Sequence, residues 1–335
     1  MRLVTAAPDT AGTGRSADAA VITEGLSKRY GRLQAVAGLD LEVPAGQTFG
    51  FLGPNGAGKS TTLGMLCTLL RVTGGRALVA GFDVSREPHQ VRRHIGVVFQ
   101  ESTLDGDLTA METLRFHAEL FGIPRQRTID LIMDMLELVD LAERRHAPVR
   151  TFSGGMRRRL EIALGLIHAP RVLFLDEPTT GLDPQTRAAI WDYLRRLRAE
   201  RGVTVFLTTH QLEEAENCDR IAIMDEGRLV GDGTPRELKA IVGADLVTLR
   251  TDDDSAAART IRERLGLDPD AGADGLRIRA TDGATLVPRL CAVLPVPVRA
   301  VTVTPPTLDD VFLHYTGRTI READDVAPAF PAPRR

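Results

Sequence analysis

The sequence has few cysteines and no long apolar run. Its three cysteines, at positions 67, 218 and 291, are far apart and show no CxxC or Cys/His spacing. This distribution suggests neither a disulfide framework nor a zinc site, and it is typical of a reducing compartment. The longest apolar stretches are short pieces such as residues 172–175, whereas a membrane-spanning helix needs about 18 to 20 apolar residues. We therefore expect that the chain itself does not cross a bilayer.

An excess of one charge is also missing. Of 335 residues, 42 are Lys or Arg and 45 are Asp or Glu, which gives a formal net charge of -3. The opposite charges are interspersed, so the sequence has no basic stripe of the kind that binds nucleic acid. We expect no nucleic-acid partner. The length allows one large and one smaller hydrophobic core, which favours two folded domains.

The order of local patterns predicts an α/β domain followed by a small α+β domain. Over residues 21–237, short β-type runs alternate with helical patterns, as in a mostly parallel sheet. Residues 104–160 lose the β signal and indicate a helical subdomain within this core. Residues 241–317 have a β-α-β-α-β pattern that ends in a helix. Residues 1–20 and 318–335 are predicted to be disordered tails, the first without the apolar centre of a secretory signal.

A glycine-rich segment fits the pattern G-x-x-x-x-G-K-[ST] between a strand and a helix. It reads Gly53-Pro54-Asn55-Gly56-Ala57-Gly58-Lys59-Ser60. In such a loop backbone N–H groups approach phosphate closely, and the following helix N-terminus favours an anion. Lys59 is expected to contact the β- and γ-phosphates of a nucleotide, and the Ser60 hydroxyl to bind Mg²⁺. An ordinary glycine-rich turn would explain neither the Lys-Ser pair nor its position.

Two acids, Asp176 and Glu177, end an apolar strand further along the chain. A carboxylate at the C-terminal end of a parallel strand points into the crevice where phosphates bind, so Asp176 is predicted to bind Mg²⁺. Glu177 is then the candidate general base for the attacking water. Alone, this pair would more simply be a solvated strand end. The phosphate loop upstream makes the catalytic interpretation the better one.

A second Ser-Gly-Gly turn, Ser153-Gly154-Gly155, precedes a helical pattern that runs through Ile167. It offers another anion site at a helix N-terminus. One nucleotide does not readily need two separate phosphate cradles, so the surplus cradle favours a dimer. Standing alone, Ser153 would be interpreted as a simple helix N-cap.

Together, these motifs resemble the nucleotide-binding domain of the ATP-binding cassette family over about residues 21–237, in family order and at family spacing. The resemblance implies a P-loop fold with antiparallel β and α-helical subdomains. It also implies that the chain binds ATP and Mg²⁺ and hydrolyses ATP. Two copies are then expected to pack head to tail, with each ATP between Lys59 of one copy and Ser153 of the other.

The same resemblance assigns roles to residues whose own patterns leave other interpretations open. Tyr30 matches the adenine-stacking aromatic but could be a half-buried strand residue. Gln100 matches the glutamine near Mg²⁺ and the attacking water but could be a polar strand end. His210 matches the residue that hydrogen-bonds the γ-phosphate but could cap the next helix. Asp183 lies in the turn after the catalytic acid, and before Pro184 it has the pattern of a helix N-cap whatever else it does.

The expected functional residues fall into three groups. Those expected to bind the nucleotide are Tyr30, Gly53, Pro54, Asn55, Gly56, Ala57, Gly58, Lys59, Ser60, Thr61, Ser153, Gly154, Gly155 and Asp183; those expected in catalysis are Gln100, Glu177 and His210; those expected at Mg²⁺ are Ser60, Gln100 and Asp176. The sequence departs from the commonest family signature at Phe152 and Met156. Because Met156 cannot supply the hydrogen bonds of a glutamine, the assignment there stops at the Ser-Gly-Gly turn.

Three features resemble the drug-export branch typified by daunorubicin-resistance ATPases. They are the run Ser-Gly-Gly-Met-Arg-Arg-Arg-Leu, the small second domain and residues 307–313. The resemblance implies a subunit on the cytoplasmic face of the membrane that powers export of an antibiotic-like compound through a separate permease, which residues 100–104 are expected to contact. Export of lipid, polysaccharide or ions stays open, as does a soluble cassette ATPase acting on ribosomes or DNA, although one uninterrupted cassette disfavours the latter.

Overall fold

The computed structural model describes residues 19–243, 245–272 and 275–320. Most of both predicted tails lies outside these residues. Where prediction and structure overlap, the predicted boundaries are wrong by a few residues. Ala19 begins the first strand, and the Arg318 guanidinium pairs with the Asp225 carboxylate at 3.0 Å. That ion pair ties the end of the described chain to the large domain.

The described residues alternate between strands and helices along most of their length. The strands are β1 (Ala19–Tyr30), β2 (Leu33–Pro44), β3 (Thr48–Leu52), β4 (Gly74–Val79), β5 (Phe82–Asp83), β6 (Ile95–Val98), β7 (Val172–Asp176), β8 (Thr204–Thr209), β9 (Arg220–Asp225), β10 (Arg228–Gly233), β11 (Asp245–Thr251), β12 (Asp270–Gly272), β13 (Gly275–Ala280) and β14 (Val298–Thr304). The helices are α1 (Lys59–Leu66), α2 (Pro88–His94), α3 (Ala110–Leu120), α4 (Arg125–Leu138), α5 (Gly154–Leu166), α6 (Pro184–Arg201), α7 (Leu212–Ala215), α8 (Pro235–Val242), α9 (Asp254–Leu265), α10 (Gly283–Val293) and α11 (Leu308–Thr316). No helix among the described ranges is long and apolar enough to span a membrane.

Two sheets form the large domain. The first is antiparallel, with the strand order β2-β1-β4-β5, and the second has the order β10-β9-β3-β8-β7-β6 and is parallel except at β10. Strands β3, β7 and β8 are buried along their whole length, as expected where helices cover both faces of a parallel sheet. Phe206 packs against Phe49 and Phe174 with both ring-centroid distances at 5.3 Å. The predicted α/β fold class is confirmed, and the carboxyl ends of these strands carry the site.

A helical subdomain is inserted between β6 and β7. Apolar residues of α3, α4 and α5, among them Leu114, Ile132 and Leu160, are buried in one cluster, which is the helical spacing that the sequence predicts. The predicted end at residue 160 falls inside α5, which continues to Leu166 and lies against β6. A Cβ at Gly96 would lie 2.0 Å from the carbonyl oxygen of Gly165, so helix α5 contacts the parallel sheet backbone to backbone.

The small domain is an antiparallel sheet in the order β12-β13-β11-β14, packed against α9 and α10. Its own core contains Val247, Leu249, Ile261, Ile278 and Leu290. The predicted β-α-β-α-β order holds, with the short strand β12 added. This strand has only three residues, too few for an alternating pattern to show.

Helix α11 belongs to the large domain, although the sequence pattern places it at the end of the small one. Its apolar residues Leu308, Val311 and Phe312 are buried in the same cluster as Leu238 of α8. The periodicity of α11 predicts an apolar face but does not say which surface this face covers. The chain therefore leaves the large domain after α8 and returns to it at α11.

Candidate functional site

The phosphate loop, residues 53–60, leads from the end of β3 into the first residues of α1, as predicted. Gly58 has φ of +106°, and a Cβ there would lie 2.6 Å from a backbone oxygen of β2, so only glycine fits this position. Lys59 is 5% exposed, and its Nζ donates hydrogen bonds to the carbonyl oxygens of Gly53 at 2.6 Å and Pro54 at 3.0 Å. The loop backbone thus holds the ammonium group of Lys59 within the loop.

Hydroxyl and carboxylate oxygens meet beside this loop. The Ser60 hydroxyl lies 3.4 Å from Oδ1 of Asp176, and the Thr208 hydroxyl donates to the same oxygen because parallel pairing sets Asp176 opposite Thr208. Mg²⁺ prefers such oxygen ligands and usually keeps waters and phosphate oxygens as well. Among the described residues, no group of three or more His, Cys, Asp or Glu side chains could hold a metal. The Ser60 hydroxyl and the Asp176 carboxylate are oxygen donors of the kind that Mg²⁺ prefers, so this donor set fits Mg²⁺.

Glu177 follows β7 in a sharp backbone turn. Its φ of +46° is unusual for a residue with a side chain, and strain of this kind is often found at functional sites. The turn is held because the Glu177 N–H donates to the carbonyl oxygen of Thr208 at 3.1 Å and to the Thr208 hydroxyl at 3.2 Å. The backbone thereby turns away from the sheet as soon as it has delivered Asp176.

The Glu177 carboxylate is the centre of a hydrogen-bonded cluster. Nδ1 of His210 lies 2.9 Å from Oε1, while Nε2 of Gln100 and the Thr180 hydroxyl lie 3.4 Å and 3.2 Å from Oε2. Nζ of Lys59 is 4.0 Å from Oε1. Three segments that are distant in sequence, ending at Gln100, Glu177 and His210, therefore meet beside the phosphate loop.

The charge state of Glu177 suits a general base. Burial alone would raise its pKa, but the hydrogen bond from His210, the charges of His210 and Lys59 and the hydrogen bond from Thr180 together lower the pKa below its ordinary value. The carboxylate is ionised at neutral pH and can accept a proton.

Tyr30 and Asp183 lie at the ends of their elements. Tyr30 ends β1 and is 44% exposed, with Nζ of Lys28 at 4.9 Å from its ring centroid. Asp183 caps α6, as predicted, because its Oδ1 accepts from the backbone N–H groups of Gln185 and Thr186. The hydrogen bond from the Thr186 hydroxyl, followed by those of the backbone, lowers the pKa of Asp183. Contact of either residue with a nucleotide stays a prediction.

The Ser-Gly-Gly turn stands at the start of α5 and outside the Glu177 cluster. The Ser153 hydroxyl accepts from the backbone N–H of Met156 at 3.2 Å, so its N-cap role is confirmed. A Cβ at Gly154 would lie 3.6 Å from Leu182, an ordinary contact, whereas a Cβ at Gly155 would lie 2.3 Å from Thr186. The nearest neighbours of this turn thus belong to the start of α6 and the residues just before it, while Ser153 and Gly154 are exposed.

Two contributors to the site are absent from the predicted set. Thr208 binds both Asp176 and the Glu177 backbone, and its position at the end of a strand beside β7 would have identified it once the strand order was known. Arg158 donates to the carbonyl oxygens of Asp176 and Glu177. Its spacing from Gly155 and Ile162 places it on the buried face of α5. This spacing is easily overlooked in the sequence, because Arg158 stands in a run of three arginines.

This fold and this site define a P-loop nucleotide hydrolase. The family model described as ABC transporter matches residues 36–180. Daunorubicin resistance ATP-binding protein DrrA3 of Streptomyces coeruleorubidus is 43% identical over 92% of this chain and 99% of that protein. Nod factor export ATP-binding protein I of Ralstonia nicotianae is 42% identical over 93% of this chain and 98% of that protein. The chain belongs to the ATP-binding cassette (ABC) transporter family.

Solved structures agree with this assignment. The chain superposes on cbiO1 from Clostridium perfringens, described as part of the ABC transporter complex cbiONQ, with a TM-score of 0.63, 27% identity and coverage of 74% of this chain and 96% of that one. It also superposes on the ATP-binding cassette MJ0796, described as dimeric and bound to ADP and Pi, with a TM-score of 0.58, 26% identity and coverage of 64% and 98%. The chain is an ATP-binding ABC subunit that hydrolyses ATP, as the resemblance implied.

Proposed function

We propose that two copies of this chain form a head-to-tail dimer that encloses two ATP molecules and powers export through a separate permease at the cytoplasmic face of a membrane. The position of the Ser-Gly-Gly turn is the main support for the proposed dimer. Ser153 and Gly154 of this anion cradle are exposed, and the turn lies against Leu182 and Thr186, while the phosphate loop contacts Asp176 and Glu177. A facing copy would bring the two halves together. The dimeric relative bound to ADP and Pi supports this arrangement.

Within each half, the side chains divide the chemistry. Lys59 and the loop N–H groups would bind the phosphates, and Ser60 and Asp176 would hold Mg²⁺, which when bound neutralises developing charge on the phosphate oxygens. The ionised Glu177 would take the proton of the attacking water. His210 and Gln100 already contact the Glu177 carboxylate. We infer that they orient this base and contact the γ-phosphate side of the nucleotide.

The transported compound is inferred from relatives that align along nearly the whole chain, including the small domain. One of these relatives is named for daunorubicin and doxorubicin resistance, and another, of nearly the same sequence identity to this chain, is named for Nod factor export. We propose a hydrophobic, antibiotic-like substrate. The test is accumulation of daunorubicin in cells that carry the permease with wild-type chain or with Glu177→Gln. If daunorubicin accumulates less in cells with the wild-type chain than in cells with Glu177→Gln, drug export is supported. Equal accumulation in the two kinds of cell rejects daunorubicin as the substrate.

A groove beside Gln100 is the proposed permease contact. It encloses about 450 Å³ between the parallel sheet and the helical subdomain, and its lining includes Leu69, Phe99, Glu101 and Phe121. Phe121 stacks on His168 with ring centroids 3.9 Å apart, which gives the groove an aromatic wall. Leu69 is 59% exposed and Phe121 43% exposed. Exposed apolar side chains lining a groove are typical of a protein interaction site.

We expect Leu69→Arg to separate the subunit from its permease. A charge at this apolar position would have to be desolvated in the interface, whereas the isolated subunit keeps an exposed side chain there. The measurement is copurification of the membrane subunit with the tagged chain, together with ATP binding. Ile129→Arg is the matched control, because Ile129 on α4 is equally exposed, at 59%, and is not among the residues lining the groove. Equal retention of the permease by both variants would contradict the groove assignment.

A further inference from the structure

The guanidinium of Arg158 is buried and makes a hydrogen bond with each of its five N–H donors. Nε donates to the carbonyl oxygen of Pro178 at 2.7 Å, one terminal nitrogen donates to the carbonyl oxygens of Asp176 at 3.0 Å and Glu177 at 3.3 Å, and the other donates to the carbonyl oxygen of Phe99 and to Oε2 of Glu161. Arg158 is only 6% exposed. Full use of a guanidinium at a buried position indicates a fixed geometry.

These bonds join three parts of the ATPase that are far apart in sequence. Arg158 itself lies in α5, the helix that begins with the Ser-Gly-Gly turn. Phe99 directly precedes Gln100, and the three consecutive carbonyls of residues 176–178 surround Glu177 on both sides. One side chain therefore fixes the backbones that carry Gln100 and the general base, and it holds both to helix α5.

The contact with Arg158 stabilises the left-handed backbone turn at Glu177. A residue with φ of +46° is not held by its own preferred conformation. The N–H of Glu177 is bound by Thr208, and its carbonyl oxygen is bound by Arg158, so both sides of the strained peptide have a partner. Removing the guanidinium would free the carbonyl side of the turn.

We propose that Arg158 is a positioning residue that sets the catalytic carboxylate of Glu177 and the amide of Gln100 in register with helix α5. The inference rests on the proposed role of Glu177 as general base. It extends to the permease groove, since Phe99 and Glu161, which bind the guanidinium, also line that groove. A shift of the groove wall would thereby reach the backbone of residues 176–178 through one side chain.

The proposal is tested with the Arg158→Gln variant of the full-length chain. Its turnover is measured in the same kind of preparation as that of wild type. We expect kcat to fall about 10²-fold, the effect of displacing a catalytic group by about 1 Å, while KM and ATP affinity stay within about twofold. Arg158→Lys keeps the charge but offers one ammonium for acceptors spread over two segments, so its kcat should be intermediate. Arg159→Gln is the control, because Arg159 lies on the same helix but its guanidinium donates to the carbonyl oxygen of Val139 at 2.8 Å, in the helical subdomain; its kcat should stay near that of wild type.

A double variant distinguishes a loss of catalysis from a loss of folding stability. Arg158→Gln with Glu161→Gln leaves no unpaired buried carboxylate, so it should restore the melting temperature towards wild type while kcat remains as low as in the single variant. A wild-type kcat in Arg158→Gln would overturn the proposal, as would recovery of kcat in the double variant. If Glu177→Gln, measured in parallel, retains turnover, the proposed mechanism fails whatever Arg158 does.

Discussion

Replacing Glu177 by Gln is expected to lower ATP turnover about 10³-fold, within the range that a general base contributes. The isosteric amide keeps the positions of the hydrogen bonds from Gln100 and Thr180 but cannot accept the proton of water. The His210 hydrogen bond and charge, the Lys59 charge and the Thr180 hydrogen bond hold the pKa of Glu177 below its ordinary value, so this group is a carboxylate in the native site. Loss of that charge removes the base without removing its neighbours.

ATP binding should survive the same change. Lys59, Ser60 and Asp176 are untouched, and one negative charge near the γ-phosphate is gone, so ATP should bind at least as tightly as to wild type. The measurements are phosphate release at saturating Mg-ATP and the dissociation constant of ATP. Glu213→Gln is the matched control, since Glu213 on α7 is 82% exposed, and it should leave turnover unchanged. Turnover within tenfold of wild type in Glu177→Gln would contradict the assignment of the base.

The Lys59→Ala variant is expected to fail one step earlier, at binding. Hydrogen bonds to charged groups contribute about 1.5–3 kcal/mol, so loss of the ammonium contact with the phosphates should weaken ATP binding about 10- to 100-fold. The change also removes the cation 4.0 Å from Glu177 and raises the pKa of that carboxyl. Turnover should therefore stay low even at saturating ATP, because the phosphates lose their principal cationic contact.

The measurement for Lys59→Ala is ATP affinity by equilibrium titration, followed by turnover at concentrations well above the new dissociation constant. Lys239→Ala is the control: the ammonium of Lys239, on α8, pairs with the Glu216 carboxylate at 2.7 Å, and the variant is expected to change neither quantity. Wild-type affinity in Lys59→Ala would show that the ammonium, which binds the loop carbonyls in this structure, does not turn to the phosphates.

The sequence was most informative where backbone geometry and chemistry require particular residues. The Gly-Lys-Ser ending of the phosphate loop predicted the turn from strand to helix. The parallel strand ending in Asp176 and Glu177 predicted which oxygens meet at Ser60. These predictions succeed because short-range patterns determine them, and because the carboxyl ends of parallel strands share one edge of a sheet.

Predictions failed where the outcome depends on which surfaces meet. The apolar face of α11 is visible in the sequence, but its packing against Leu238 of the large domain is not. In the sequence, Arg158 is not distinguished from the two neighbouring arginines. Only the folded structure shows that four carbonyl oxygens surround its guanidinium. A helical pattern defines a face, whereas the partner of that face is set by the tertiary structure.

The central claim is that each ATP site is completed by the Ser-Gly-Gly turn of a second copy, and Gly154 tests it most directly. A side chain fits at Gly154 within the chain, with Leu182 as an ordinary contact at 3.6 Å, and a carboxylate at the first position of α5 is favourable to the helix. Gly154→Asp should therefore leave the fold and the chain's own phosphate loop intact. It would set a negative charge against the partner's nucleotide.

The measurement is sedimentation of Glu177→Gln with Mg-ATP, with and without Gly154→Asp. We predict a dimer holding one ATP per chain for the single variant, and monomers that still bind ATP for the double variant. If the double variant dimerises with ATP as readily as the single one, or if the single variant binds ATP and stays monomeric, the shared site is contradicted.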